Sequence, residues 1–268
     1  MLESAGIGPL YDGSDRSLML PTAREDVKIV SLRPEDIPAV VASGAVDLGI
    51  TGFDLVVESG ADVTVLEDLG VGRARIVVAV PEWVEASSPG DLPDGVRVAT
   101  KYARIAEGYF KSLGVRAEVV KVSGSTEVLP LLGAADAVID VASTGATLRI
   151  HGLRIIDTIM ETSARLISSP MLDDNSLVEE VVESIRSVVR ARRIRLILMN
   201  VPDARLGEVL SVVPSMGGPT VARVESTSEP MWEVIIAVDS DLVGKAIIDA
   251  KRGGARDIVV LDVDRVIP

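Results

Sequence analysis

The chain has 268 residues, with 40 acidic against 27 basic side chains, a formal charge of −13, no cysteine and one histidine. That balance argues against a nucleic-acid surface, which needs a basic stripe. Without thiols there can be no disulfide, thiolate metal site or cysteine nucleophile, and His151 alone cannot build a multi-histidine site. Chemistry is left to carboxylates, hydroxyls, arginines, main-chain amides or a bound ion.

No apolar segment reaches membrane-spanning length, and MLESAGIGPLYDG lacks the pattern of a signal peptide, so no membrane role and a cytoplasmic location are expected. Residues 1–5 read as the end of a helix, followed by a Gly-rich break and strands at 17–20 and 27–32. Pro34 suits the first turn of a helix running to about Ser43. Strands at 47–51, 63–66 and 75–80, with a helix at 53–59, indicate a largely parallel α/β sheet.

The polar, Pro- and Gly-rich stretch 81–93 reads as a crossing between lobes. Beyond it come a strand at 96–100, a helix at 103–113, a strand at 117–122 and a helix at 126–133. Strands at 153–158 and 164–168 return the chain to the first lobe. Two α/β lobes with a double crossover resemble the type II periplasmic-binding-protein fold, with a ligand cleft between them. An amphipathic helix at 177–191 carries Val181, Val182, Ile185, Val188 and Val189 at helical spacing. The order strand, helix, two strands, helix, strand from 194 to 263 predicts a ferredoxin-like, ACT-like βαββαβ domain. The expected division is 1–82 with 165–189, 83–164, and 190–268.

The stretch at 127–148, EVLPLLGAADAVIDVASTGATL, carries the strongest chemical signal. A buried strand at 137–141 ends in Ser143-Thr144-Gly145-Ala146-Thr147, and Leu148 then opens a helix. Unpaired amides at such a point favour an anion, and Gly145 lets the main chain approach it. Asp140 stands at the carboxyl end of the strand, where open α/β sheets place ligands. A carboxylate there fits sugar hydroxyls or phosphate-bound Mg²⁺, so the pattern points to a phosphorylated sugar. It reads equally as Ser143 or Thr144 capping a helix, and spacing alone does not choose.

The order Glu127, Gly133, Asp140, Ser143-Thr144-Gly145-Ala146-Thr147-Leu148 resembles the motif of ATP phosphoribosyltransferase. SLRPEDIPAVVASGAVDLGITGFDLV, RVATKYARIAEGYF and ETSARLISSP resemble flanking segments of that family, and 194–266 the extra domain of its long form. The resemblance implies transfer of phosphoribosyl from phosphoribosyl pyrophosphate to N1 of ATP, the first step of histidine biosynthesis, with Mg²⁺ on the pyrophosphate. It makes Glu127 and Asp140 the ribose-facing carboxylates and 143–147 the 5-phosphate loop. For the nucleotide it points to Asp47, Gly49 and Gly52, where small residues leave room over the main chain. Arg73 and Arg75, two apart on a strand, are a candidate phosphate clamp. Arg33, Asp36, Thr100 and Tyr102 are further candidates, and Arg16 is weaker. Each also has a bland reading: a tight turn for the glycines, solvated side chains for the arginines. Trp83 and Trp232 read as packing residues.

The resemblance further implies feedback inhibition by histidine at Met216, Gly218 and Thr220, although Gly218 stands where the family often has serine. AMP is a second candidate inhibitor, and a homo-oligomer, dimer or hexamer, is expected. Family members begin with a strand and a Lys-Gly-Arg-Leu-type loop ahead of the helix in which this chain starts. The alternative function is a non-catalytic sensor or inactive regulatory paralogue on the same two-lobed fold.

Overall fold

A computed structural model describes residues 1–10, 18–171, 175–225 and 229–268. Arg16 and Ser17 lie outside the described residues. The chain divides into two compact units, Met1–Ser31 with Ser176–Pro268, and Leu32–Asn175.

Strands β1 (Met19–Pro21) and β2 (Lys28–Val30) pair antiparallel in the first unit. The second unit opens with α1 (Ile37–Ala42), β3 (Leu48–Gly52), α2 (Phe53–Ser59), β4 (Thr64–Asp68) and β5 (Ala74–Pro81). It continues with β6 (Val96–Thr100), α3 (Ala103–Leu113), β7 (Ala117–Lys121), β8 (Ala137–Ala142), α4 (Ala146–Ile150), β9 (Leu153–Thr162) and β10 (Ala164–Ser168). The first unit resumes with α5 (Ser176–Ala191), β11 (Ile194–Pro202), α6 (Leu206–Val212), β12 (Thr220–Val224), β13 (Met231–Asp239), α7 (Val243–Arg252) and β14 (Arg256–Asp262).

The second unit holds a five-stranded sheet ordered β7-β6-β8-β5-β9 and a three-stranded sheet ordered β3-β10-β4. The expected parallel pairing holds at β6 alone: α3 carries the chain from β6 to β7, and β8, reached through a 3-10 turn, lies parallel on the other side of β6. Strand β5 joins that sheet without a crossover and runs antiparallel to β8 and β9, while β10 runs antiparallel to both β3 and β4.

Strand β5 is the spine of this unit. Residues 76–80 have no exposed surface, the near-continuous apolar run of a strand covered on both faces. The two-residue period sends Ile76, Val78 and Val80 to one core, against Ile105, Ala106 and Phe110 of α3. Val77 and Ala79 go to the other, with Val138, Leu148 and Leu153. Helix α3 stops at Gly114, whose φ of 70° suits a left-handed cap.

Two expected helices are cut short. Residues 33–36 form a turn, Asp36 N–H donating to the Arg33 carbonyl at 3.0 Å, and it is Pro38, not Pro34, that occupies the first helical turn. The expected helix at 126–133 reduces to a 3-10 turn over Thr126–Val128, because Pro130 has no N–H to continue the ladder and Gly133 turns left-handed at φ 68°. Trp83 is 66% exposed and packs in no core, a correction to its expected role. Trp232 donates its indole N–H to Asp203 at 2.8 Å.

In the first unit β11 to β14 form an antiparallel sheet ordered β12-β13-β11-β14, the ferredoxin-like arrangement. Ile197, Met199, Val234 and Ile236 pack with Val209 of α6 and with Ala246 and Ala250 of α7. Helix α5 buries Val181, Val182, Ile185 and Val188, and Arg24 reaches from the segment after β1 to Glu180 at 3.2 Å.

Phe110→Ala is expected to cost about 3–5 kcal/mol, read as a lower denaturant midpoint of the Leu32–Asn175 unit. A second expectation concerns acid. Asp136 accepts from the Arg97 main-chain amide at 2.9 Å and pairs with its guanidinium at 2.8 Å. The side-chain bond from Arg97 comes first among the causes that hold the carboxyl below its ordinary 3.8. A depressed carboxylate contributes stability above its unfolded value and loses it as pH falls through the folded one. Asp136→Asn should therefore flatten the loss of stability of the native chain below about pH 4, measured by denaturant unfolding at successive pH values.

Candidate active site

Three element ends meet because β5 lies antiparallel between its neighbours. Arg75, at the start of β5, is paired with Ala142 at the end of β8 and with Glu161 near the end of β9. The loop after β8, the crossover from β9 to β10 and the entry to β5 thus enclose one cleft of about 320 Å³. Its walls are Arg73, Ala74 and Arg75, Ser143 from the loop, residues 161–163 and Arg165 from the crossover, and Asp68 at the end of β4.

The charges in this cleft are unequally committed. Arg165 forms an ion pair with Asp68, donates to the Ser163 hydroxyl and lies 5.0 Å from the Phe53 ring centroid. Asp68 also accepts from the Ser163 hydroxyl at 2.7 Å and the Gly70 amide at 2.9 Å. Burial works to raise the Asp68 carboxyl, but those two donors and the charges of Arg165 and Arg73 outweigh it and hold it below its ordinary range. Arg165 is therefore neutralised where it stands. Among the described residues, neither Arg73 nor Arg75 forms an ion pair. Two uncommitted guanidinium groups beside a hydroxyl loop attract a doubly charged oxyanion.

The loop that follows β8 has the geometry such an anion needs. Gly145 adopts φ 73° and ψ 10° ahead of α4. A Cβ there would lie 3.2 Å from the Ile155 Cδ1 atom. Ala146 N–H reaches only the Thr144 hydroxyl, at 3.4 Å. Among the described residues none accepts from the amides of Thr144 or Gly145. Ser143, Thr144, Ala146 and Thr147 are exposed, Gly145 is buried, and Ser143 faces the arginines across the cleft.

Asp140 is half-buried on β8; it accepts from the Thr126 hydroxyl, and at 2.7 Å from the Val141 amide. Thr126 is 1% exposed and precedes Glu127, so the 3-10 turn brings the half-buried Glu127 toward the same strand. Ser125, just before, holds φ 52°, an unfavourable region for a side chain. Such outliers cluster at functional sites.

Other expected residues sit differently. The space above Gly49 is filled: a Cβ would lie 2.7 Å from the side chains of Ile37 and Val41, so this glycine serves the packing of α1 on β3. At Gly52 a Cβ would meet the Asp54 Oδ1 atom at 2.4 Å. At both glycines the direction a side chain would take is occupied by neighbouring side chains. Thr100 and Tyr102 are buried at 0% and 1%. The Thr100 hydroxyl accepts from the Tyr102 amide at 2.9 Å, and the Tyr102 hydroxyl donates to Asp54 at 2.8 Å. Burial, then the Asp54 carboxylate, push the Tyr102 phenol far above its ordinary range, so it remains a donor. Arg33, Asp36 and Asp47 are exposed and do not line the cleft.

Asp54, Asp68, Thr126, Thr162, Ser163 and Arg165 carry much of this geometry, and the sequence reading assigned none of them a role. Four of them lay inside the segments TGFDLV and ETSARLIS. Nothing in their spacing separated them from ordinary strand-end polar residues.

In the first unit, the loop between α6 and β12 exposes Met216 and Gly218, and Thr220, the first residue of β12, is exposed as well. Gly217 and Gly218 hold φ 73° and 102°, and Met216 N–H donates to the Ala237 carbonyl at 2.8 Å. The Ser215 hydroxyl is buried without a partner among the described residues.

Residues 33–187 match the family HisG, ATP phosphoribosyltransferase, and residues 191–265 match the HisG C-terminal domain. The ATP phosphoribosyltransferase of Ignicoccus hospitalis is 50% identical over 268 residues, covering 100% of this chain and 94% of its own length. That of Metallosphaera sedula is 44% identical over 99% of this chain and 93% of its own. Among solved structures, the ATP phosphoribosyl transferase (HisG:HisZ) complex from Thermotoga maritima aligns with a TM-score of 0.60 and 24% identity. It covers 71% of this chain and 90% of its own; at that identity the likeness speaks for the fold.

Gly145→Ala is expected to cost about 1–2 kcal/mol, since alanine must hold a left-handed conformation while its methyl crowds Ile155. Chemical denaturation of the variant beside the parent chain measures it.

Proposed function

The chain belongs to the ATP phosphoribosyltransferase family, and from that premise we propose how its residues divide the work of phosphoribosyl transfer to ATP, the first step of histidine biosynthesis. The observation that carries the assignment is the convergence of Ser143 with the unpaired Arg73 and Arg75 in one cleft.

Residues 143–147 hold the 5-phosphate of phosphoribosyl pyrophosphate through hydroxyls and free amides. Asp140 and Glu127 accept hydrogen bonds from the ribose hydroxyls, with Thr126 fixing the plane of the Asp140 carboxylate. Arg73 and Arg75 bind the phosphates that converge on the reaction. Charge grows on the leaving pyrophosphate as its bond to C1 breaks, so guanidinium groups held in that cleft would stabilise that state more than the ground state. The attacking N1 of ATP is a nucleophile as it stands, so holding the two substrates in line supplies much of the remaining acceleration.

No group of three or more His, Asp or Glu side chains among the described residues makes a metal cage. We assign Mg²⁺ to the substrate, where it would sit on the pyrophosphate and ease its departure. Residues 190–268 carry the regulation: histidine binds at the loop of Met216, Gly218 and Thr220, with AMP as a second inhibitor, in a homo-oligomer located in the cytoplasm. Support for this part comes from the match of 191–265 to the HisG C-terminal domain, and from the unpartnered Ser215 hydroxyl beside the loop. No helix among the described residues is long and apolar enough to cross a membrane.

Incubation with ATP, phosphoribosyl pyrophosphate and Mg²⁺ is expected to yield phosphoribosyl-ATP, followed by chromatography, and added histidine should slow it. Arg75→Ala is expected to lower kcat/KM by about 10- to 100-fold, the loss of one charge-assisted contact. An unchanged kcat/KM would remove this cleft from the reaction.

A further inference from the structure

The crossover that forms one wall of the cleft is not held by the sheets alone. Between β9 and β10 the chain has a single residue outside regular pairing, Ser163, and its neighbour Thr162 makes a reciprocal bond with Asp54. The Thr162 hydroxyl donates to Asp54 Oδ1 at 2.7 Å, while the Asp54 amide donates back to the Thr162 hydroxyl oxygen at 3.0 Å. The Phe53 amide adds a bond to the Ser163 carbonyl at 3.0 Å. The first two residues of α2 thus grip the last residue of β9 and the single residue of the crossover.

Asp54 itself does not line the cleft and is 8% exposed. Among the described residues no Lys or Arg forms an ion pair with it. A buried carboxylate with only hydroxyl partners is a poor device for stability alone, since apolar side chains of similar size often serve as well or better. Its second oxygen accepts from Tyr102 at 2.8 Å, so two hydroxyls from different elements fix the plane of the carboxylate. One helical turn further along α2, Glu58 accepts from the amides of Arg104 and Ile105 at 3.2 and 3.1 Å, capping α3. A single face of α2 therefore holds two things at once: the start of α3 through Glu58, and the cleft wall through Asp54.

We infer that Asp54 is a positioning residue: through Thr162 and Ser163 it sets the placement of Arg165 and Asp68, and with them the anion cleft. The chain of contacts is continuous. Asp54 fixes Thr162; Ser163 follows directly and donates to Asp68; Arg165 donates to Ser163 and pairs with Asp68. With Arg165 neutralised by Asp68, the charges left lining the cleft are Arg73, Arg75 and Glu161, a net positive set. If the crossover drifts, Arg165 and Asp68 separate, and an unpaired carboxylate faces the incoming phosphate. The inference rests on the proposed role of this cleft as the phosphate site.

The test uses the full chain, with inorganic pyrophosphate as the binding probe in calorimetry and steady-state kinetics alongside. Asp54→Asn and Thr162→Val should each weaken pyrophosphate binding about tenfold and lower kcat/KM by a similar factor, at temperatures where the variants remain folded. The double variant should lose little more than either single one, because both act on the same Asp54–Thr162 contact, the carboxamide weakening it and valine removing it. Glu58→Ala should lower Tm through the lost cap and leave binding and kcat/KM at parental values. Should the carboxamide variant not fold, Tyr102→Phe frees the other oxygen of Asp54 and so loosens the carboxylate that Thr162 leans on, with an expected loss of about threefold.

Parental pyrophosphate affinity in Asp54→Asn, or an equal loss in Glu58→Ala, would overturn the inference, as would a parent chain that binds no pyrophosphate. A parent chain that makes no phosphoribosyl-ATP while its variants follow the expected binding pattern would overturn the assigned reaction and leave the positioning role standing.

Discussion

The antiparallel seating of β5 between β8 and β9 is the constraint on which the site depends. A strand with both faces buried and both edges paired cannot slip without turning its valines toward the wrong core. Its register therefore fixes which residues share its entry. Arg75 stands opposite Ala142 and Glu161 because Val77 stands opposite Asp140 in the same ladder. The hydroxyl loop after β8 and the crossover after β9 are thus delivered to the arginines by hydrophobic packing some residues away.

Within the cleft, charge is arranged rather than merely accumulated. Three arginines and two acids would make a weakly positive hollow if all were equal. They are not: Arg165 and Asp68 are tied to each other and to Ser163, which leaves Arg73 and Arg75 as the available cations. In a chain with a formal charge of −13, such a local pair of cations would offset the overall repulsion of a phosphate group. The general repulsion acts at a distance and is screened by salt, whereas guanidinium groups and amides act at contact.

The C-terminal part of the first unit reaches its fold by a different route. Its four strands are all antiparallel, and its core forms between one face of the sheet and helices α6 and α7. The loop ahead of β12 needs glycine at 217 and 218 because both hold positive φ. That requirement accounts for the glycines without any ligand, while the buried Ser215 hydroxyl is the one feature of the loop that packing leaves unexplained.

The sequence by itself determined the element types, the ferredoxin-like order after residue 194, and the hydroxyl loop with its glycine, since each rests on local periodicity or on a turn that only certain residues can make. It failed at 126–133, where the apolar spacing looks helical but Pro130 removes a needed donor. The direction of β5, the gathering of Arg73, Arg75 and Ser143, and the partnership of Asp54 with Thr162 and Tyr102 were decided by tertiary structure alone. Asp54 and Thr162 stand 108 positions apart and Tyr102 lies 48 from Asp54, so no local pattern joins them. A hydrogen bond acts over about 3 Å, and only the pairing of distant strands brings such residues within its reach.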